Sequence, residues 1–202
     1  METSESGDLR RIGVFGGTFD PVHNAHLLMA ECAREELDLD LVYFVPAAIP
    51  PHKQDRLDSI SSSSDREAML VLAIGGNPRF ALLTWELEKG DISYTVDTLE
   101  YLQNTHRDAR FFLLLGGDSI RDFRMWKSPA RIAELAELVA MSRPGHELPG
   151  EAAPGVPYHL LVAPRFDLSS SDIRERVRRG ASVRFRIPDS VSAYIERHAL
   201  YR

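Results

Sequence analysis

The chain has 202 residues, and its 24 lysines and arginines against 30 aspartates and glutamates give a formal net charge of −6. Hydrophobic residues make up 44% of the chain, which is enough for the core of one domain of this length. The acidic balance argues against a nucleic-acid partner, since such proteins need a basic surface. The single cysteine, Cys32, excludes an intrachain disulfide framework and a multi-cysteine zinc site.

The start of the chain predicts a flexible tail over residues 1–10, followed by a single domain over residues 11–202. Residues 1–11 are polar and acidic and lack the apolar segment of a signal peptide. No apolar stretch approaches the roughly 18–20 residues of a membrane span. We therefore expect a cytoplasmic protein that has no membrane partner; the sequence leaves its oligomeric state open, a homo-oligomer included.

Short apolar runs alternate with helical patterns along the chain. The runs predict strands at residues 12–15, 41–45, 80–84, 111–115, 138–141 and 159–162. The helical patterns predict helices at residues 25–37, 67–74, 95–104, 119–123, 129–136, 171–179 and 190–198. Ser64 and Glu67 have the spacing of a capping box, which predicts the start of the second helix. Uniformly apolar strands between helices indicate an α/β protein with a doubly wound, mostly parallel sheet.

The first strand is followed by the segment GGTFDPVHNAH at residues 16–26, and open parallel sheets bind ligands beyond the carboxyl ends of their strands. Glycines let the backbone approach a ligand, and the start of the next helix offers free N–H groups to an anion. His23 and His26 are three residues apart, so they share a helix face and can reach one phosphate. From these residues alone, two ordinary histidines after a tight turn, or half of a zinc site, remain open alternatives.

The last strand is followed by LSSSDIR at residues 168–174. Hydroxyl and N–H groups at a helix start, with Arg174 one turn further on, form a second potential anion site. A well-capped surface helix, with Asp172 and Glu175 spaced as a capping box, is the alternative.

Together the two segments resemble the nucleotidyltransferase superfamily that carries the two-histidine H-x-G-H signature. Further motifs lie between them in chain order: PPHK at residues 50–53, ISYTVDTL at 92–99, GGDS at 116–119, Trp126, and SRPG at 142–145. In this combination residues 12–202 resemble the bacterial nicotinate-nucleotide adenylyltransferases. One departure is Ala25, where the family usually has glycine; we expect it to be tolerated because alanine suits a helix better than glycine.

The resemblance implies a Rossmann-like nucleotidyltransferase fold that transfers the adenylyl group of ATP to nicotinate mononucleotide, releasing pyrophosphate. Mg²⁺ would enter with ATP, without a dedicated carboxylate site on the protein. The residues implied in catalysis are His23, His26 and Arg174. Those implied in ATP binding, besides these three, are Gly16, Gly17, Thr18, Phe19, Gly117, Asp118, Arg143, Ser170 and Ser171. Those implied in binding the mononucleotide are His52, Lys53, Thr95, Trp126 and Lys127.

Individual roles follow from the same resemblance. Asp118 would accept hydrogen bonds from ribose hydroxyls, and Arg143 would lie beside the adenine. Trp126 would stack on the pyridine ring, while Thr95 and the backbone N–H of Lys127 would bind the nicotinate carboxylate.

Three other functions are weighed against this one. A related adenylyltransferase could use nicotinamide mononucleotide or phosphopantetheine, although the pantetheine enzymes are typically shorter and lack the Ser-Tyr-Thr and tryptophan features. A non-catalytic nucleotide-binding module is a second alternative, and the intact His23, His26 and Arg174 argue against it. A hydrolase is a third, and the absence of a G-x-S-x-G elbow argues against that.

Overall fold

A sheet of parallel strands forms the centre of the structure, a computed structural model that describes residues 9–51, 60–142, 148–162, 164 and 167–202. Within these residues the strands are β1 (Arg10–Gly17), β2 (Leu41–Pro46), β3 (Phe80–Leu82), β4 (Ala109–Gly116), β5 (Glu137–Ser142) and β6 (His159–Val162). Their spatial order is β3-β2-β1-β4-β5-β6, and every neighbouring pair is parallel. The predicted doubly wound parallel sheet is confirmed.

Helices connect the strands and cover the sheet. They are α1 (Asn24–Glu36), α2 (Ser63–Ile74), α3 (Trp85–Lys89), α4 (Thr95–Thr105), α5 (Gly117–Asp122), α6 (Pro129–Leu135), α7 (Ser170–Arg178) and α8 (Asp189–Arg197), with a 3₁₀ turn at Phe123–Met125. None of the helices in the described part of the chain is long and apolar enough to cross a membrane.

Two of the sequence predictions need correction, and a third is adjusted at its boundary. α2 begins four residues before the predicted helix, because the Ser62 hydroxyl, rather than that of Ser64, accepts the Asp65 N–H at 3.1 Å and caps it. α3 was not predicted, because a five-residue helix is too short to show a hydrophobic period. β1 begins at Arg10, one residue inside the predicted tail, of which residues 1–8 lie outside the described part.

The core consists of two hydrophobic clusters, one on each face of the sheet. Successive strand residues point to opposite faces, so Val14 of β1 belongs to one cluster and Phe15 to the other. The uniformly apolar strands are explained by this burial on both faces.

The chain order reverses between the adjacent strands β1 and β4, which pair from Arg10↔Ala109 to Val14↔Leu113. Doubly wound sheets have a crevice at such a switch point, beyond the carboxyl ends of the strands. Gly17 ends β1 and Gly116 ends β4. The two predicted glycine segments therefore flank the crevice.

Candidate active site

The glycine loop (residues 16–23) joins β1 to α1 at the switch point. Phe19 adopts a left-handed backbone, with φ of 50°, and its ring is buried against Phe15, Phe44 and His26. A Cβ on Gly17 would lie 2.9 Å from the Phe19 ring, whereas one on Gly16 would meet no atom within 4 Å. Gly17 is thus required by the packing of Phe19, whereas the space beside Gly16 is open.

His23 and His26 occupy the first turn of α1 as its N-cap and third residue. Their rings stack in parallel, with centroids 3.6 Å apart and an interplanar angle of 15°. The backbone N–H of His23 donates to Nδ1 of His26 at 3.2 Å, which places the proton of a neutral His26 ring on Nε2. Burial and the nearby His23 lower the pKa of His26 well below its usual value. His26 is therefore a neutral ring that offers Nε2–H as a donor.

The late segment lies directly against the glycine loop. One guanidinium N–H of Arg174 donates to the backbone carbonyl of Asp20 at 2.7 Å, and another donates to the Ser171 hydroxyl at 3.3 Å. The Ser170 hydroxyl donates to the carbonyl of Pro21 at 2.9 Å. The Ser169 hydroxyl caps α7 by accepting the N–H of Asp172. The structure thus brings the two predicted anion sites together although they are about 150 residues apart in the chain.

A buried arginine that belongs to none of the sequence motifs shapes this site. The side chain of Arg66 on α2 is 1% exposed and donates to the carbonyls of Thr18 at 3.1 Å and Ala47 at 2.7 Å. Burial lowers the pKa of its guanidinium. A signal existed: Arg66 precedes Met69 and Leu70 by three and four residues, so it lies on the apolar face of α2.

Two further residues at the site also lack an assigned role in the sequence analysis. Asp20, within the glycine loop, is 2% exposed. The hydroxyl of Tyr201, near the end of the chain, donates to its Oδ1 at 2.7 Å.

A second group of predicted residues meets at the start of α4. The ammonium of Lys127 lies 2.9 Å from a carboxylate oxygen of Asp97 and 4.4 Å from the ring centroid of Tyr94. Because Thr95 is the first residue of α4, these contacts place the segment 126–127 beside it. The N-cap of α4 is Tyr94. The ring of Trp126 is partly buried and packs on Phe123, with centroids 5.5 Å apart.

Backbone contacts connect this second group to the glycine loop. The N–H of Ala47 donates to the carbonyl of Gly17 at 2.9 Å. One residue later, the N–H of Ala48 donates to the hydroxyl of Ser93 at 2.9 Å, and Ser93 in turn donates its N–H to the carbonyl of Ile49 at 3.0 Å. The loop after β2 therefore bridges the two groups of predicted residues.

The remaining predicted residues divide between described and undescribed parts of the chain. Gly117 begins α5 immediately after β4, and a Cβ there would lie 3.2 Å from a methyl carbon of Leu148. The N-cap of α5 is Gly116, and the side chain of Asp118 is 99% exposed and pairs with Arg121. His52, Lys53 and Arg143 lie outside the described residues.

The zinc alternative concerns the two histidines. Among the residues that the structure describes, no group of three or more His, Cys, Asp or Glu side chains could hold a metal ion. Nδ1 of His26 already accepts a hydrogen bond from the backbone.

Glu86 of α3 is a buried carboxylate beneath the start of α4, and it gives a pH-dependent prediction. It is 8% exposed and accepts the Thr98 hydroxyl at 2.5 Å. Burial is the main cause that raises its pKa above the usual 4.5. In the pH range between the usual and the raised pKa, the folded chain therefore holds a proton that the unfolded chain has lost. Stability consequently falls as pH rises through the window above 4.5. Glu86→Gln keeps the acceptor and removes the charge, so it should raise the unfolding midpoint at neutral pH.

Thermal unfolding of both chains across the pH range measures this effect. The advantage of the glutamine variant should shrink as the pH falls through 4.5 and vanish well below it, where the wild-type carboxyl is protonated in both states. Glu88→Gln, an exposed change on the same helix, is the control and should show no such trend. A wild-type chain that is the more stable of the two at neutral pH would contradict the expectation.

Comparison with known proteins agrees with this geometry. The sequence profile of the cytidylyltransferase-like family matches residues 14–176. A probable nicotinate-nucleotide adenylyltransferase of Clavibacter michiganensis is 40% identical over 99% of this chain and 98% of its own length. One from Thermus thermophilus is 44% identical over 95% of this chain and 100% of its own.

Solved structures share the fold. Plasmodium falciparum nicotinic acid mononucleotide adenylyltransferase, complexed with APC, superposes with a TM-score of 0.78. It is 19% identical, and the match covers 95% of this chain and 97% of that one.

The matched profile and the fold define a nucleotidyltransferase. With relatives at 40% identity and above over nearly the whole chain, this protein belongs to the nicotinate-nucleotide adenylyltransferase family.

Proposed function

We propose that this chain transfers the adenylyl group of ATP to nicotinate mononucleotide, forming nicotinate adenine dinucleotide and pyrophosphate. The convergence of His26 and Arg174 on one glycine loop at the switch point is the observation that carries the proposal. The names of the relatives at 40% identity and above support the acceptor.

The chemistry fits a site without a nucleophile–base pair. The attacking group is a phosphate oxygen of the mononucleotide, which is already ionised at neutral pH. It forms a bond to the α-phosphorus of ATP while the bond to the bridging oxygen of the β-phosphate breaks, and pyrophosphate leaves. Catalysis then consists of aligning two anions and stabilising the charge that develops on the leaving group.

His26 and Arg174 would stabilise different parts of the ATP triphosphate. The Nε2–H of neutral His26 would donate to the ATP phosphates, and a neutral donor needs no counter-charge during the reaction. Arg174, held at the Asp20 carbonyl, would bind the β- and γ-phosphates. The N-terminal end of α1 would add backbone N–H groups and a partial positive charge.

Mg²⁺ would take part as the ion of the ATP–Mg²⁺ substrate. It keeps several waters and is usually bound through phosphate oxygens rather than by an all-protein cage. We therefore assign no protein ligand to it.

The start of α4 would receive the pyridine ring. The Thr95 hydroxyl and the Lys127 backbone N–H would bind its carboxylate, beside the ring of Trp126. The position of segment 126–127 against Tyr94 and Asp97 supports this assignment.

Trp126→Ala should raise the KM for nicotinate mononucleotide about tenfold, because an aromatic face and its buried area are lost. The KM for ATP should change much less. Steady-state kinetics with each substrate varied in turn checks this. Trp126→Phe keeps an aromatic ring, so its KM for nicotinate mononucleotide should lie between those of the wild-type chain and Trp126→Ala. Equal effects on both KM values would remove the stacking role.

A coupled pyrophosphate-release assay tests the proposed function. ATP–Mg²⁺ is supplied with nicotinate mononucleotide, nicotinamide mononucleotide or phosphopantetheine as acceptor. The proposal predicts the highest kcat/KM with nicotinate mononucleotide. A higher kcat/KM with one of the other two acceptors would identify the chain as a related adenylyltransferase. No pyrophosphate release with any acceptor would favour a nucleotide-binding module.

A further inference from the structure

Asp20 is a buried carboxylate at the centre of the glycine loop. Its two carboxylate oxygens accept hydrogen bonds from distant parts of the chain, Oδ1 from the Tyr201 hydroxyl at 2.7 Å and Oδ2 from the Ser61 N–H at 3.4 Å. The guanidinium of Arg174 lies 3.8 Å from Oδ2 and donates to the backbone carbonyl of the same residue at 2.7 Å. The orientation of Asp20 therefore bears directly on the position of Arg174.

Tyr201 reaches this carboxylate from the segment that follows α8. Its ring packs partly buried against the hydrophobic cluster that includes Phe19 and Ile195. Burial and the negative charge of Asp20 raise the pKa of its hydroxyl, so the hydroxyl stays protonated and donates. The last turn of the chain is thus fixed to the glycine loop by one hydrogen bond between residues 181 positions apart.

Arg66 fixes the preceding residues of the same loop. Its guanidinium donates to the carbonyls of Thr18, Ala47 and Ser61. Ser61 is also the residue whose N–H reaches Asp20. One loop is therefore held from two directions, by Arg66 on the Thr18 side and by Tyr201 on the Asp20 side.

We propose that Tyr201 is a positioning residue of the phosphate site: through Asp20 its hydroxyl holds the glycine loop and Arg174 in the geometry that binds the leaving pyrophosphate. This inference rests on the proposed function for the identity of the leaving group. Tyr201 would act through the carboxylate of Asp20, the residue whose backbone carbonyl holds Arg174, rather than on a substrate directly.

The chain contains a matched control in Tyr194 of α8. Its hydroxyl also donates to an aspartate, Oδ1 of Asp65 at 2.9 Å, and its ring packs against the same hydrophobic cluster. Asp65 lies in the first turn of α2, whereas Arg174 donates to the Asp20 carbonyl and the Ser171 hydroxyl. Tyr194→Phe and Tyr201→Phe therefore remove the same type of hydrogen bond, from a tyrosine hydroxyl to an aspartate, one away from the contacts of Arg174 and one beside them.

The test compares the two full-length variants with the wild-type chain. It measures kcat and both KM values with ATP–Mg²⁺ and nicotinate mononucleotide, the dissociation constant of pyrophosphate by calorimetry, and the unfolding midpoint. Tyr201→Phe should lower kcat and weaken pyrophosphate binding, each by about tenfold, which is less than the hundredfold loss in rate that a misplacement of about 1 Å can cause. Tyr194→Phe should leave both values within about twofold, and its midpoint should fall by no more than that of Tyr201→Phe, because Asp20 is more deeply buried than Asp65.

The outcomes separate this inference from the proposed function. If both variants keep wild-type kcat and pyrophosphate affinity, or lose them equally, the hydrogen bond is only structural and the inference is overturned. If the wild-type chain transfers no adenylyl group to nicotinate mononucleotide, the proposed function fails. The pyrophosphate affinities of the two variants then still decide the inference, since equal values overturn it and a selective loss in Tyr201→Phe supports it.

Discussion

Replacing His26 by alanine is expected to lower kcat by roughly 10²–10³-fold, the cost of removing one well-placed transition-state donor. The ring is neutral because its pKa is lowered, and its Nδ1 accepts the His23 N–H, so the Nε2–H is the donor that we propose for the ATP phosphates. The pyrophosphate-release assay measures the loss. The KM for ATP should change less than kcat, because the bond strengthens as charge moves onto the leaving group.

His159→Ala is the control for this change. His159 lies on β6 and pairs with Glu137 of the neighbouring strand, with its side chain more than half exposed. Its loss should leave kcat unchanged. A His26→Ala chain that turns over at nearly the wild-type rate would reject the role of this ring.

Arg174→Ala should weaken the binding of ATP and of pyrophosphate by roughly 10- to 150-fold. A hydrogen bond to a charged group contributes about 1.5–3 kcal/mol, and each 1.4 kcal/mol corresponds to about tenfold in affinity. Calorimetric titration with pyrophosphate measures the loss directly. The unfolding free energy should fall by about 1.5–3 kcal/mol, because the charged guanidinium makes one short bond to the protein, at the Asp20 carbonyl.

Arg178→Ala controls for the loss of positive charge. Arg178 lies one turn further along α7, is mostly exposed and pairs with Glu175. Its removal changes the net charge equally but should leave pyrophosphate binding nearly unchanged. Equal losses of pyrophosphate affinity in the two variants would mean that the overall positive charge of α7, rather than the position of the Arg174 guanidinium, attracts the phosphates.

The sequence allowed the parallel sheet to be predicted because its strands are buried on both faces. Such strands are uniformly apolar, and β2 and β4 were placed to within one or two residues. The start of α2 was placed wrongly because neighbouring serines compete for the cap, and Ser62, which takes it, has no distinguishing pattern.

The two segments that we propose bind phosphate could be found because each lies after a strand and carries short-range signals. The contacts that hold these segments in place could not be predicted from the sequence. The partners of Arg66 are backbone carbonyls, which have no sequence signature, and the bond from Tyr201 to Asp20 spans 181 positions. The packing reason for glycine at position 17 was also not predictable: a Cβ there would meet Phe19, a residue two positions away whose ring orientation only the fold defines.

The most direct measurement is a crystal structure of this chain with a non-hydrolysable ATP analogue. The account predicts that the phosphate oxygens lie within hydrogen-bond distance of Nε2 of His26 and of the Arg174 guanidinium at the same time. An analogue whose triphosphate is bound elsewhere, with neither side chain in contact with it, would contradict the account.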